Sequence, residues 1–162
     1  MINRRVAALV AACVIGAAIG LGSFTFVYAR GSSYLTNDPA ACANCHVMRD
    51  HFSAWQRSSH HNVAVCNDCH APHNLAGKYY TKGLNGFWHS FYFTTGGYPY
   101  PLRMTERNRR VTEGACRYCH EEVTDAIEHG AAGPAPARED ERESPERLMC
   151  TRCHSDVGHW VR

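Results

Sequence analysis

Charge of either sign is missing between Arg5 and Arg30. A surplus of charge is missing from the chain as a whole: 17 Lys and Arg stand against 15 Asp and Glu, a formal net charge of +2. So even a balance, with no basic cluster, gives no electrostatic argument for nucleic acid, and none is expected as a partner. The chain is also short, and 162 residues leave room for one modest domain but not for an elaborate substrate-binding fold. Cysteine outside a motif is nearly absent: of nine cysteines only Cys13 falls outside four short repeats.

The uncharged stretch, Val6 to Ala29, is apolar or small throughout. As a helix it would measure about 36 Å, enough to cross a hydrocarbon core of about 30 Å. A cleaved signal peptide is the rival reading, because Val27-Tyr28-Ala29 loosely resembles a small-x-small cleavage site. Signal h-regions, however, run only about 7–15 residues. The expectation is a retained single-pass anchor in membrane lipid. Arg4 and Arg5 precede it with no acidic neighbour and Arg30 follows alone, so the positive-inside bias puts the N-terminus in the cytoplasm and the remainder on the periplasmic face of the inner membrane. Residues 1–30 are then a cytoplasmic start plus anchor, and 31–162 the periplasmic domain. Cys13 inside the run reads as a small hydrophobe. Gly16, Gly20 and Gly22 make small-xxx-small pairs that would let two such helices approach, which makes a homodimer an open expectation.

The remaining cysteines form Cys42-Ala43-Asn44-Cys45-His46, Cys66-Asn67-Asp68-Cys69-His70, Cys116-Arg117-Tyr118-Cys119-His120 and Cys150-Thr151-Arg152-Cys153-His154. In CxxCH the two thiols add to the vinyl groups of a heme, and the adjacent histidine reaches the iron. Two zinc ribbons or a set of disulfides would use the cysteines, but neither explains a histidine after every second one. Four covalently bound heme c groups are expected. They leave roughly 33 residues of the domain for each heme, too few to build a separate apolar core around it. The fold class expected is therefore mainly α: one transmembrane helix and a small multiheme cytochrome domain whose core is the hemes themselves.

A six-coordinate iron needs a second ligand, and the histidines outside the motifs are His51, His60, His61, His73, His89, His129 and His159. His60, which ends a stretch before the second motif, and His159, which follows the fourth after Gly158, are the preferred candidates. Met48 lies two residues after His46, so its thioether competes with that histidine for the first iron, and the spacing leaves the two equal. A methionine ligand would raise that iron's potential.

Between the second and third motifs, Leu75 to Pro101 is dense in Tyr, Phe and Trp with interspersed Lys78 and Lys82. Such a segment suits the membrane interface, and it equally suits packing around heme faces. A lipid-soluble quinol would enter there. Residues 131–147 are rich in Ala, Gly, Pro and alternating charge, a composition that does not fold alone and reads as a flexible exposed linker.

Taken together, the anchor, Cys42 to Met48 with its CxxCHxM pattern, Ser58-Ser59-His60, Cys66 to His70, Asn85-Gly86-Phe87-Trp88-His89-Ser90, Phe93-Thr94-Thr95-Gly96 and Cys150 to His159 resemble the NapC/NirT family of membrane-anchored quinol dehydrogenases. The resemblance covers nearly the whole chain and lies toward the branch that serves a nitrite reductase. It implies that Met48 rather than His46 ligates the first iron, and that menaquinol is oxidised beside it with Lys78 and Asn85 lining the pocket. Asparagine hydrogen-bonds a hydroxyl but takes no proton near neutral pH, so Lys82 or His89 stands in as acceptor. The resemblance further implies His70 with a partner's lysine on the second iron, and His120 and His154 with His60 and His159 on the third and fourth, His61 remaining an alternative to His60. The activity it implies is transfer of electrons from menaquinol to a periplasmic pentaheme nitrite reductase catalytic subunit, the chain itself reducing no nitrite. The alternatives are service to another periplasmic reductase, or a plain electron carrier with no quinol site.

Overall fold

The computed structural model describes residues 3–129 and 149–159. The expected linker, 131–147, lies outside them. All described regular structure is helical, and no strand occurs among the described residues. The chain divides into two compact units, 1–36 and 37–162.

The first unit is α1, Arg4–Tyr28, and the turn that follows it. Asn3 caps the helix, its side chain accepting from the Arg5 N–H at 3.1 Å, and satisfies one of the donors a helix start leaves open. No residue of α1 is buried, and it is long and apolar enough to cross a membrane. Arg30 takes the left-handed conformation at φ 52°, after which a 3-10 turn, Gly31–Leu35, packs back on α1 and stays with this unit.

The second unit places the motifs on short helical turns. Asp38 and Pro39 start α2, Pro39–Cys42, with the Asp38 carboxylate accepting from the Ala40 N–H at 2.9 Å. A 3-10 turn, His46–Met48, leads into α3, Arg49–Trp55. The Trp55 indole N–H then donates to the Ala64 carbonyl at 3.0 Å, fixing the approach to α4, Cys66–His70. Asp68, inside the second motif, accepts from the Val65 N–H at 2.9 Å and so caps the helix it belongs to. The long α5, Leu75–Thr95, begins at Asn74, whose side chain accepts from Gly77 N–H at 2.7 Å. It ends at Gly96, where φ of +72° favours a residue without Cβ. α6, Glu106–Cys119, carries the third motif, α7 is Glu121–His129 and α8, Cys150–Cys153, the fourth motif. An Arg117–Glu128 ion pair, largely shielded from solvent, ties α7 to α6.

Elements carrying the motifs pack in chain order: α2 against α4, α4 against α6, α6 against α8. What they enclose is not a protein core. Among the described residues the buried apolar side chains are Ala71 and Ala115, and no large side chain is fully buried. Ordering each residue costs about 1–2 kcal/mol. Two alanines, at roughly 25 cal/mol per Å², cannot offset that over this unit, so its stability has to come from apolar bodies the polypeptide does not supply.

Candidate heme and quinol sites

In the second, third and fourth motifs a helical turn puts the two cysteines on one face, and at least one thiol of each motif lies near a thiol of the next. The Cys42 and Cys66 thiols share a hydrogen bond. The Cys116 thiol is pushed up to about 11, first by burial and then by Cys150, Glu113 and Cys69 around it, and Cys69 likewise lies within electrostatic reach of Cys119. Attachment points thus run from the first motif to the fourth without a break. All eight thiols are free, and among the described residues no three Cys, His, Asp or Glu groups converge as a metal-ion cluster requires. Paired free thiols beside an imidazole, around an interior with no large fully buried side chain among the described residues, fit heme c.

The histidines divide into two groups. His60 faces His120 with ring centres 6.2 Å apart, and His70 faces His159 at 5.9 Å. With metal–imidazole bonds of about 2 Å, one ion between two rings sets their centres about 6 Å apart. The His60 Nδ1 lies 3.1 Å from the Val157 carbonyl oxygen. A carbonyl only accepts, so Nδ1–H donates and Nε2 keeps its lone pair, the arrangement of a metal-ligating histidine with a supporting partner. His61 instead packs edge-on against the Trp55 ring at 4.7 Å. His159 also meets His51, Nδ1 to Nδ1 at 3.4 Å. Burial, first of all, holds His70, His159 and His51 below the ordinary imidazole range, His70 at about 4 with its histidine neighbours adding to the effect. All three are neutral at neutral pH, as ligation requires. His154 has no facing histidine ring among the described residues, and Met48 is half-buried where His46 is exposed.

Lys78, Lys82, Asn85 and His89 follow one another at spacings that put all four on one face of α5. Lys82 is buried, its ammonium donating to the Asn37 side-chain oxygen at 3.1 Å, and Asn37 also accepts from Asn67 of the second motif at 3.3 Å. Burial lowers the Lys82 pKa, Lys78 lowers it further, and the nearby Cys42 thiol opposes the change. Asn85 is engaged as an acceptor, taking a hydrogen bond from the Arg107 guanidinium at 2.6 Å. Partial desolvation holds His89 below the ordinary imidazole range, although the residue as a whole is exposed. Beyond them α5 exposes Phe87, Trp88, Phe91 and Tyr92. Sequence reasoning did not single out Asn37, Arg107 or Glu113, since each acts through a residue at least 22 positions away.

One apolar helix and a helical unit built around thiols and imidazoles define a single-pass, membrane-anchored cytochrome of c type. The chain belongs to the NapC/NirT cytochrome c family, whose N-terminal region matches residues 3–162. It is 36% identical over 154 residues to the cytochrome c-type protein NrfH of Wolinella succinogenes, covering 93% of this chain and 86% of that one. It is 30% identical over 145 residues to the cytochrome c nitrite reductase subunit NrfH of Nitratidesulfovibrio vulgaris, covering 89% and 80%. The crystal structure of the cytochrome c nitrite reductase NrfHA complex bound to the HQNO inhibitor contains a chain similar to it, with a TM-score of 0.56, 28% identity and coverage of 90% and 88%.

Proposed function

We propose that the chain is a membrane-anchored menaquinol dehydrogenase that delivers electrons through four hemes c to the catalytic subunit of a periplasmic cytochrome c nitrite reductase. One observation carries this reading: the row α2, α4, α6, α8, with the buried Lys82 amine beside Cys42 at its first member. Its near full-length likeness to two NrfH proteins, one of them named a nitrite reductase subunit, supports the choice of partner. The Arg4 and Arg5 bias supports the periplasmic orientation.

The hemes, attached at Cys42 and Cys45, Cys66 and Cys69, Cys116 and Cys119, and Cys150 and Cys153, supply one-electron chemistry. Met48 would hold the first iron, as the resemblance implies. The facing of His70 and His159 supports that pair for the second, where the resemblance implies a partner's lysine, and the facing of His120 and His60 supports that pair for the third. His154 would serve the fourth. Lys82 binds one quinol hydroxyl and receives its proton, Lys78 keeps the Lys82 pKa low, and Asn85 with Arg107 frames the pocket toward His89. The exposed rings of α5 have the chemistry of a membrane-interface segment, where a lipid-soluble quinol would arrive.

In proteoliposomes a menaquinol analogue is expected to reduce the heme α-band within seconds, and absence of reduction would leave only an electron carrier. Replacing His60 with Ala is expected to turn one low-spin heme high-spin in the ferric EPR spectrum, whereas His61→Ala leaves the spectrum unchanged. The opposite outcome would transfer the ligand role to His61.

A further inference from the structure

Two charged side chains are buried among the described residues, Lys82 and Glu113. Lys82 belongs to the quinol site. Glu113 has no part in it. It sits on α6 one helical turn before Cys116 and reaches across to the start of α8. There its carboxylate accepts from the Cys150 N–H at 2.7 Å, the Thr151 N–H at 2.9 Å and the Thr151 hydroxyl at 2.5 Å. These donors are ones that a helix start leaves open, and here they belong to the fourth motif. A surface cap would do the same for local stability, but Glu113 is 8% exposed and the sequence separation is 37 residues or more. A group that merely capped α8 would not need to be a carboxylate held out of water between two heme-attachment motifs.

We propose that Glu113 is a positioning residue that fastens the fourth CxxCH motif to the helix of the third, and that its fixed negative charge holds down the potentials of the two hemes these motifs carry. An anion in a low-dielectric setting favours the ferric over the ferrous state, and cluster or heme potentials respond to nearby charge and hydrogen bonding. Burial alone would raise the Glu113 carboxyl, but the donors from Thr151 and Cys150 outweigh it and keep the group ionised. Glutamine offers one acceptor oxygen for three donors and no charge. Aspartate keeps the charge on a shorter arm.

The role rests on the tetraheme reading, and the experiment separates the two. Full-length heme-loaded protein is weighed intact and then titrated spectroelectrochemically as wild type, Glu113→Gln, Glu113→Asp and Thr151→Val. A wild-type mass short of four hemes would overturn the tetraheme reading itself. With four hemes present, Glu113→Gln is expected to shift one or two of the four one-electron transitions to more positive potential, and Glu113→Asp to restore most of the difference. Thr151→Val removes one donor and leaves the charge less dispersed, so its shift is expected to be negative. Should the glutamine variant fail to accumulate, that negative shift still tests the charge. A glutamine titration that superimposes on the wild type, an aspartate shift as large as the glutamine one, or an unmoved Thr151→Val curve would each overturn the role of Glu113.

Discussion

With all eight motif cysteines replaced by serine, residues 37–162 are expected to lose cooperative unfolding altogether, showing no sharp transition in a thermal melt followed by circular dichroism. The expected loss is the whole of the unit's stability, about 5–15 kcal/mol for a domain of ordinary marginality. The reason is local as well as global. α2, α4 and α8 have four or five residues each, far below the ~12–15 at which a helix begins to persist alone, and they have no buried side chains of their own to hold them. α5 and α6 are longer and carry caps at Asn74 and Thr105, so residual helical signal is expected from them without a melting transition. A sharp transition in the heme-free chain would mean that the polypeptide has a core the burial pattern does not reveal.

That dependence explains how much was legible in the sequence. The motif cysteines, the mainly α class and the apolar run Val6 to Ala29, which falls on the helix Arg4–Tyr28 but for its last residue, were readable because each is a short-range pattern: spacing of three and four, or an unbroken apolar run. The preference for His60 was open because His61 stands beside it with the same chemistry. What separates them is a carbonyl at Val157 and a ring at Trp55, and no local pattern encodes either. His159 was expected to serve the third or fourth iron, and its ring lies against His70 of the second motif. α8 and the turn after it are held by Glu113 and His60 from elements far upstream, a placement that closeness in the chain does not encode. Asn85 was expected to line the quinol pocket, and its oxygen accepts from Arg107, a partner 22 residues on that no local pattern announces. In a unit with almost no apolar core, long-range polar contacts carry the placement, and those are the least visible in a sequence.

Lys82 makes the sharpest test of the quinol reading. Lys82→Met is expected to lower the rate of menaquinol oxidation by about 10²–10⁴-fold, the range for loss of a positioned acid–base group, while dithionite still reduces every heme. The protein should not be less stable for it. Burial depresses the Lys82 pKa in the fold, so the charged amine costs stability at every pH below that folded value, and the cost is lifted only as pH rises toward the ordinary lysine value of 10.5. Methionine removes the charge and keeps the stem, so at neutral pH the melting temperature is expected to hold or rise, even with the bond to Asn37 lost. The same depression predicts the pH profile. Conversion of Cys42 to a thioether abolishes the thiolate that opposes the shift, leaving Lys82 lower still, and a base must be neutral to take a proton. Wild-type turnover should therefore rise with pH along a limb that lies below the ordinary lysine range and is absent from Lys82→Met. A variant that turns over quinol at the wild-type rate, or that keeps the limb, would move the proton acceptor to His89.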